Sequence, residues 1–551
     1  MVLSKSSPDP VDRWAWRFCY WSAAVAIWAW AAWQRFALPA DPIADPDSWG
    51  YLSPALRQLA GAGYIHIQGR NFIYPEFLFL LLRGFGNLRA ITTAQHLLGL
   101  IAGGVLLLTW RRIRVVLPNP RVARVIYDAM GLLASAIFLF ATDQIHFETR
   151  IRPEGVCAFL ISLNLYVVVQ FVICGLIEDR RIASVGYGVA IVFSSILVGS
   201  VKPSCLPVVF VAVMPPAFFL MRRDRGWQKI VLVGGAVASA LLLLLPEHFL
   251  SRNDEKSRTF LPTTLFVMHA NLIRNQMADD LQRGAILPYS REWLSRVHAS
   301  LSTEMTKSAA AGRQFHVSNG FSPDYLMYHP ASIAAQLRRD FGDDVSGLCA
   351  FYRFYYWRLW QHRPLSLLRK IGRQLSIFYA PTCPAYDRAK VLPLADEYQR
   401  SLNGVNIAAF QQILSVSPPE LDVLNRISAL SQKAPMIEQP VYSRVALDIL
   451  AATYLPLLLV TVGVSGFAFL SPGWRNRFGP LAALVLLVLS YNFANCFELA
   501  VIHLLEYARH ITVQMYFTLL AQFVEVWFIA EFCLELRSRS IIANKKEAAS
   551  K

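Results

Sequence analysis

The stretch that decides the fold is residues 153–177, PEGVCAFLISLNLYVVVQFVICGLI, in which Glu154 is the only charged residue. An α-helix needs about 20 mostly apolar residues to cross the hydrocarbon core of a bilayer. Nine further runs of this kind lie at 14–36, 90–110, 125–142, 182–201, 203–221, 228–246, 444–470, 479–500 and 511–536. The sequence therefore predicts an all-α polytopic membrane protein with about ten transmembrane helices.

The composition of the chain agrees with this prediction and excludes other classes of protein. The 551 residues are 55% hydrophobic and only 16% charged, whereas soluble proteins carry about 25% charged residues. A soluble enzyme, a disordered protein and a fibrous repeat are excluded. The formal net charge is nevertheless +16. Because the arginines flank apolar runs and form no patch on a soluble domain, we expect no nucleic-acid partner.

The basic residues beside the apolar runs predict which loops face the cytoplasm, since cytoplasmic loops carry an excess of Lys and Arg. With ten spans and both termini cytoplasmic, every dense basic cluster falls inside. The clusters are Arg111–Arg124, Arg180–Arg181, Arg222–Lys229, Arg475–Arg477 and Arg537–Lys546. The sequence therefore predicts a multi-pass protein of the plasma membrane whose functional chemistry lies on the outer face.

This topology divides the chain into three parts. Residues 1–246 form an N-terminal bundle of seven spans, in which 37–89 is the first outer loop and carries interfacial helices, one of them at 72–86. Residues 247–443 form a mostly helical extracytoplasmic domain. Residues 444–551 form a C-terminal membrane segment of three spans with a basic cytoplasmic tail.

Three carboxylates, those of Asp41, Asp45 and Asp47, follow the first span directly. The ordinary interpretation is that Asp47 caps a short helix and that the Asp-Pro pairs form turns. The functional interpretation is that a carboxylate at the membrane surface, beside an apolar bundle, acts as a general base. The residues alone leave both interpretations open.

The second outer loop is dense in charge for a short connection between two apolar runs. Arg150 and Arg152 are candidates to bind phosphate oxygens, which arginine does with strong charge-assisted hydrogen bonds. His146 and Glu148 are a candidate pair of ligands for a divalent metal ion. Lys202, in the next outer turn, is also placed to reach a lipid phosphate. The ordinary alternatives are contacts with lipid headgroups and a lysine that snorkels to the interface.

Two further candidates, Glu506 and Arg509, lie in the last predicted outer loop, between the ninth and tenth spans. Glu498 lies just before them, inside the apolar run. An ionisable residue in a span is a functional candidate because an unpaired charge there is costly. For Glu498, access to water at the end of the span is the alternative.

These motifs resemble those of the GT-C class of integral membrane glycosyltransferases. Asp47–Tyr51 resembles the acidic motif, followed by tyrosine, that opens the first outer loop in that class. Tyr74–Pro75 resembles the start of that loop's second interfacial helix, and Arg150–Glu154 is similar to its charged second loop. His362–Leu365 resembles a His-Pro turn of bacterial members, and Glu506–His510 a Glu-x-x-Arg element before a late span. The resemblance covers nearly the whole chain, although each motif is short.

The resemblance implies a glycosyltransferase of the bacterial inner membrane that takes a sugar from a polyprenyl-phosphate donor. The implied acceptor is a hydroxyl of an envelope glycan, glycolipid or protein, attacked with inversion. Asp47 is the implied general base; Asp45 and Asp41 stay as alternatives, because serine follows Asp47 where several members carry a second acidic residue. The residues implied to bind the substrate or its lipid-linked phosphate are Arg150, Arg152, Lys202, Glu506 and Arg509, of which the four basic ones would neutralise the phosphate. The resemblance establishes no cofactor, and a divalent metal ion is left open.

Two other functions remain as alternatives at this stage. A ligase or polymerase of lipid-linked glycans also has many spans and a large outer loop, but its key acidic residues are not expected directly after the first span. A transporter or flippase of envelope lipids is expected to show internal repeats and charged or broken helices near the midplane. No repeat is visible in the chain.

Overall fold

The computed structural model describes residues 10–45, 47–66, 70–221, 226–252, 254–311, 320–380, 383–386, 391–404, 422–502 and 514–550. Within these ranges the chain is almost entirely helical, which confirms the all-α prediction. The helices are α1 (Pro10–Phe36), α2 (Ser48–Leu59), α3 (Ile73–Phe85), α4 (Arg89–Ile113), α5 (Arg124–Leu139), α6 (Thr142–Thr149), α7 (Glu154–Val172), α8 (Arg181–Val201), α9 (Leu206–Leu220), α10 (Gly226–Ser251), α11 (Glu255–Met268), α12 (Ala270–Gln282), α13 (Arg291–Ala311), α14 (Pro323–Tyr328), α15 (Ile333–Phe341), α16 (Val345–His362), α17 (Pro364–Phe378), α18 (Leu394–Gly404), α19 (Val423–Lys433), α20 (Val441–Leu470), α21 (Pro472–Ile502) and α22 (Met515–Ser550). Two short strands, β1 (Val391–Pro393) and β2 (Met436–Glu438), pair antiparallel, which the sequence pattern did not predict.

Eight of the described helices are long and apolar enough to cross a membrane, namely α4, α7 to α10 and α20 to α22. Helices α5 and α6 meet at a bend of 47° and together form a ninth candidate span. The chain therefore has the helices of a multi-pass membrane protein. Each of the ten predicted runs coincides with a helix. The first of them, α1, is 27 residues long but is not among the eight candidate spans. The exact number of spans, ten, stays a prediction.

The candidate spans differ in how deeply they are buried inside the protein, and this defines the centre of the bundle. The apolar part of α7 is 78% buried, whereas that of α10 is only 17% buried. Helix α7 packs against both α4 and α8. Helix α7 begins directly after the charged loop predicted to be functional. That loop therefore lies at one end of the most deeply buried candidate span.

Ion pairs bring residues of several predicted cytoplasmic clusters together at one end of the bundle. Arg112 at the C-terminal end of α4 lies 2.9 Å from Glu178, six residues beyond the end of α7. Arg121 and Arg477 both pair with Glu535 of α22, at 2.6 and 2.8 Å. These clusters therefore share one side, as the charge argument predicts. That this side is cytoplasmic stays a prediction.

The first predicted outer loop folds into α2 and α3, which pack on each other, and α3 also packs on α4. Tyr74, Leu78 and Leu82 form the buried face of α3 at helical spacing, and Leu80 lies exposed on the other side. Such an amphipathic helix is typical of a membrane interface. The predicted helix at 72–86 is present; its depth in a bilayer stays a prediction.

The segment 247–443 is mostly helical, as predicted, and has an aromatic core. Phe351 of α16 is fully buried and contacts Tyr289 and Trp293 edge-on, with ring centroids 5.1 Å apart in both pairs. Helix α17 follows α16 and packs against the span α21. This contact joins the segment to the membrane bundle.

Candidate functional site

A single β-bridge joins the first predicted outer loop to the segment between α6 and α7. The backbone N–H of Ile43 donates to the oxygen of Thr149 at 2.8 Å, and that of Ile151 donates to the oxygen of Ile43 at 3.1 Å. The paired residues are more than a hundred positions apart in the chain. The bridge places Arg150 and Arg152 beside the loop that carries the three aspartates.

Asp45 and Asp47 share Arg152 through this arrangement. The Nε of Arg152 donates to Oδ2 of Asp45, and its Nη2 lies 3.2 Å from Oδ2 of Asp47. The other oxygen of Asp45, Oδ1, accepts from the backbone N–H groups of Asp47 and Ser48, both at 3.0 Å. Asp45 therefore closes the turn that leads into α2 and fixes the position of Asp47.

Asp47 has a second arginine partner, Arg70, whose Nη2 lies 2.9 Å from its Oδ1. The guanidinium of Arg70 also lies over the ring of Tyr51, 4.9 Å from the centroid, and donates to its hydroxyl at 3.3 Å. Burial raises the pKa of Tyr51 to about 12, so its hydroxyl stays protonated at neutral pH. One carboxylate, two guanidinium groups and a neutral phenol therefore meet at this point.

The three aspartates differ in how much of each side chain is exposed to solvent. The side chain of Asp47 is 34% exposed, that of Asp45 is 19% and that of Asp41 only 5%. Asp41 pairs with Arg89 at 3.1 Å and with Arg426 at 2.9 Å. It therefore ties the loop to α4 and α19, and Asp47 is the carboxylate most open to a substrate.

Arg150 turns away from the aspartates although it neighbours Arg152 in the chain. Its guanidinium donates to Glu397 of α18. His146 lies on the same side, with its Nε2 4.0 Å from Glu397. The two arginines predicted to act together on a phosphate thus have different partners. Arg70, not Arg150, shares the carboxylate of Asp47 with Arg152.

Glu148, one of the two predicted metal ligands, is completely buried in an ion-pair network. Its Oε2 accepts from the Nε of Arg35 at 2.7 Å and lies 2.8 Å from Nδ1 of His96. Gln144 donates to its Oε1 at 3.3 Å. His146 contacts Glu397 instead. Within the described ranges, no group of three or more His, Cys, Asp or Glu side chains is placed to hold a metal ion.

The network around Glu148 also holds the backbone that carries the arginines. The amide of Gln95 donates to the backbone oxygens of Glu148 at 2.9 Å and Arg150 at 2.8 Å, and its own oxygen accepts from the Tyr74 hydroxyl at 3.0 Å. Side chains of α3 and α4 therefore fix the position of the segment 148–152. We treat these as positioning residues.

Lys202 is buried and pairs with Glu154, the first residue of α7, at 3.3 Å. Glu154 also acts on Arg152. Burial lowers the pKa of Arg152, but Glu154, Asp45 and Asp47 together raise it by more, so the net shift is upward. Arg70 and Arg152 thus pair with Asp47 directly, and Lys202 is linked to Arg152 through Glu154.

Sequence reasoning missed some of these contributors. It omitted Arg70 from the predicted cations, although Arg70 is a basic residue inside the first outer loop and could have been counted. It had no signal for Arg35, His96 or Gln95, which lie within or at the end of apolar runs. Glu506 and Arg509 lie outside the described residues, and their predicted role stays a prediction.

Comparison with known proteins adds no functional assignment. No protein-family model, no curated protein and no solved structure matches the chain. The proposed function therefore rests on the chemistry of the cluster around Asp47.

Proposed function

We propose that this protein is a membrane glycosyltransferase that moves a sugar from a polyprenyl-phosphate donor to an acceptor hydroxyl, with Asp47 as the general base. The observation that supports this most is the partly exposed carboxylate of Asp47 between Arg70 and Arg152. Both guanidinium groups lie within 3.2 Å of it, at one end of a bundle of candidate membrane spans. A base and phosphate-binding cations side by side match the needs of transfer from a lipid phosphate.

The leaving group of such a reaction is a lipid phosphate, which gains negative charge as the bond to the sugar breaks. Preorganised cations stabilise this charge without rearrangement during the reaction. Among the described residues, Arg70 and Arg152 both pair with Asp47, and Lys202 pairs with Glu154. Each guanidinium offers five N–H donors, so it can hold phosphate oxygens while it keeps its carboxylate partner.

The acceptor hydroxyl transfers its proton to Asp47 while its oxygen bonds to the anomeric carbon of the sugar. The bond from that carbon to the phosphate oxygen breaks, and its electron pair leaves with the phosphate. Attack from the face opposite the leaving group inverts the anomeric configuration. Asp45 and the turn it closes keep Asp47 in place during this step.

Transfer of a radiolabelled sugar from polyprenyl phosphate to envelope glycans tests the proposal. Arg70→Gln and Arg152→Gln each remove one phosphate-binding cation, and we expect transfer to fall at least tenfold, since a charge-assisted hydrogen bond contributes about 1.5–3 kcal/mol. Arg150→Gln is the matched control, because that arginine pairs with Glu397. Equal transfer rates in all three variants would contradict the proposed phosphate site, and no transfer by the unchanged protein from any such donor would contradict the function.

One observation favours a second candidate, a transporter or flippase of envelope lipids. Glu525 lies in α22, a candidate span, with a completely buried side chain, and among the described residues neither of its carboxylate oxygens has a hydrogen-bond partner. Ionisable residues inside spans commonly mark ion or proton pathways. Movement of labelled polyprenyl-phosphate lipids across proteoliposomes, lost in Glu525→Gln, would support this candidate, and its absence in the unchanged protein would remove it.

A further inference from the structure

A cavity of about 370 Å³ lies at the end of the bundle opposite Asp47, beside the C-terminal end of α4. Arg89, at the other end of α4, pairs with Asp41 of the candidate site. A helix of 25 residues rises about 37 Å, so the cavity and the candidate site are separated by the thickness of a bilayer. The cavity is therefore a separate feature of the molecule.

The lining of the cavity is strongly basic. Arg111, Arg114 and Arg124 line it together with a single carboxylate, that of Asp128. Asp128 already pairs with Arg124 at 3.5 Å and accepts from the indole N–H of Trp16 at 3.3 Å. Three guanidinium groups and one carboxylate leave two net positive charges facing the cavity.

Arg111 and Arg114 are held in place by aromatic rings. Arg111 lies over the rings of Tyr20 and Trp21, 5.7 and 5.4 Å from the centroids. Arg114 lies 4.9 Å from the centroid of Tyr127 and donates through Nη2 to a backbone oxygen at 3.1 Å. Within the described ranges, its Nη1 is buried without a hydrogen-bond partner. Among the residues that the structure describes, neither arginine makes an ion pair.

Other arginines at the same end of the bundle, unlike Arg111 and Arg114, form ion pairs with carboxylates. Arg112 pairs with Glu178, and Arg121, Arg477 and Arg539 all pair with Glu535. The excess of cytoplasmic arginine predicts charge on this side, but it does not require a cavity in which two of the lining arginines, Arg111 and Arg114, form no ion pair with a described carboxylate. Two preorganised guanidinium groups with unused donors are suited to an anion.

We propose that this cavity binds the phosphate headgroup of an anionic membrane lipid. Large apolar side chains on the adjoining surface are exposed, among them Trp21, Val115 and Ile126. Exposed apolar surface next to the cavity is suited to acyl chains, and tryptophan is typical of the interface where headgroups lie. Basic pockets between spans bind lipid headgroups in this way. The site does not depend on the proposed transferase activity.

Native mass spectrometry of the purified full chain tests this site by titration with phosphatidylglycerol and with phosphatidylcholine of the same acyl chains. We expect tighter binding of phosphatidylglycerol, weakened about tenfold in Arg114→Gln, because one charge-assisted hydrogen bond is lost. Arg124→Gln removes a more exposed cation of the same cavity and is the second variant if the first fails to fold. Arg181→Gln, at the same end but outside the lining, is the matched control and should bind as tightly as the unchanged protein.

Three results would overturn the proposal. Equal binding of the two lipids would remove the anionic headgroup as ligand. Equal loss of binding in Arg181→Gln and in the cavity variants would reduce the effect to net charge. Complete displacement of phosphatidylglycerol by inorganic phosphate would assign the cavity to a soluble phosphate instead of a lipid.

Discussion

Gly99 of α4 lies against the buried network behind the candidate site, and its replacement by alanine is predicted to disturb that network. A Cβ atom on Gly99 would lie 1.9 Å from Oε1 of Glu148. Ordinary van der Waals contact begins at 3.4 Å, so the carboxylate oxygen has to move by about 1.5 Å (3.4 minus 1.9) to relieve the overlap. Arg35, its partner at 3.1 Å through Nη2, is completely buried and has no open space to follow.

The size of the effect depends on whether the ion pair survives this movement. Overpacking of a well-packed interior costs about 1–3 kcal/mol, and breaking a buried ion pair costs about 3–5 kcal/mol. Because Glu148 also bonds to His96 and Gln144, it cannot move without loosening several contacts at once. We therefore expect a loss of about 3 kcal/mol in the free energy of unfolding. Transfer should fall as well, since the network holds the backbone next to Arg152.

Thermal unfolding in detergent measures the loss of stability, and Gly104→Ala is the matched control. Gly104 lies on the same helix, but a Cβ atom there would meet only Trp28, at 3.8 Å. The control should unfold at or slightly above the temperature of the unchanged protein, because alanine favours a helix more than glycine does, and Gly99→Ala clearly below it. If the two alanine variants unfold at the same temperature and transfer sugar equally well, the network is not what positions the site.

Two further predictions concern charge outside the network. Burial lowers the pKa of Lys370 in α17 to about 7 from its ordinary value of 10.5. Between these pH values the unfolded chain holds a proton that the folded protein lacks, so the free energy of unfolding should rise with pH. Lys370→Met should therefore remove the rise in melting temperature between about pH 7 and about pH 9. An unchanged slope in this variant would refute the prediction. Asp41→Asn should lower the melting temperature by weakening the pairs with Arg89 and Arg426, while the folded protein keeps its transfer rate; a rate as low as that of an Asp47 variant would reassign the base.

The helices could be predicted from the sequence because hydropathy is a local property. Each predicted run, such as 153–177, coincides with a helix that begins and ends within a few residues of the prediction in most cases. The bend between α5 and α6 was harder to predict, since α6 is short, polar in part and buried. The sequence also predicted that basic clusters share one end of the bundle, because cytoplasmic loops carry an excess of Lys and Arg.

For the candidate site, the sequence predicted several of the residues but not the contacts between them. Asp45, Asp47 and Arg152 were all singled out, but their contact depends on the bridge between Ile43 and Arg150. That pairing is set by tertiary packing and leaves no periodic signal in either segment. For the same reason the sequence did not distinguish Asp41, held by Arg426 from far along the chain, from the more exposed Asp47.

The most direct test of the central proposal is the rate of sugar transfer by Asp47→Asn in purified, lipid-reconstituted protein, with donor binding measured in parallel. Loss of a general base typically lowers a rate by about 10²- to 10⁴-fold, and we predict a loss in this range with donor affinity retained, because Arg70 and Arg152 remain. Asp41→Asn makes the same chemical change in the same loop and should retain its rate. Transfer by Asp47→Asn at the rate of the unchanged protein would contradict the assignment of Asp47 as the base.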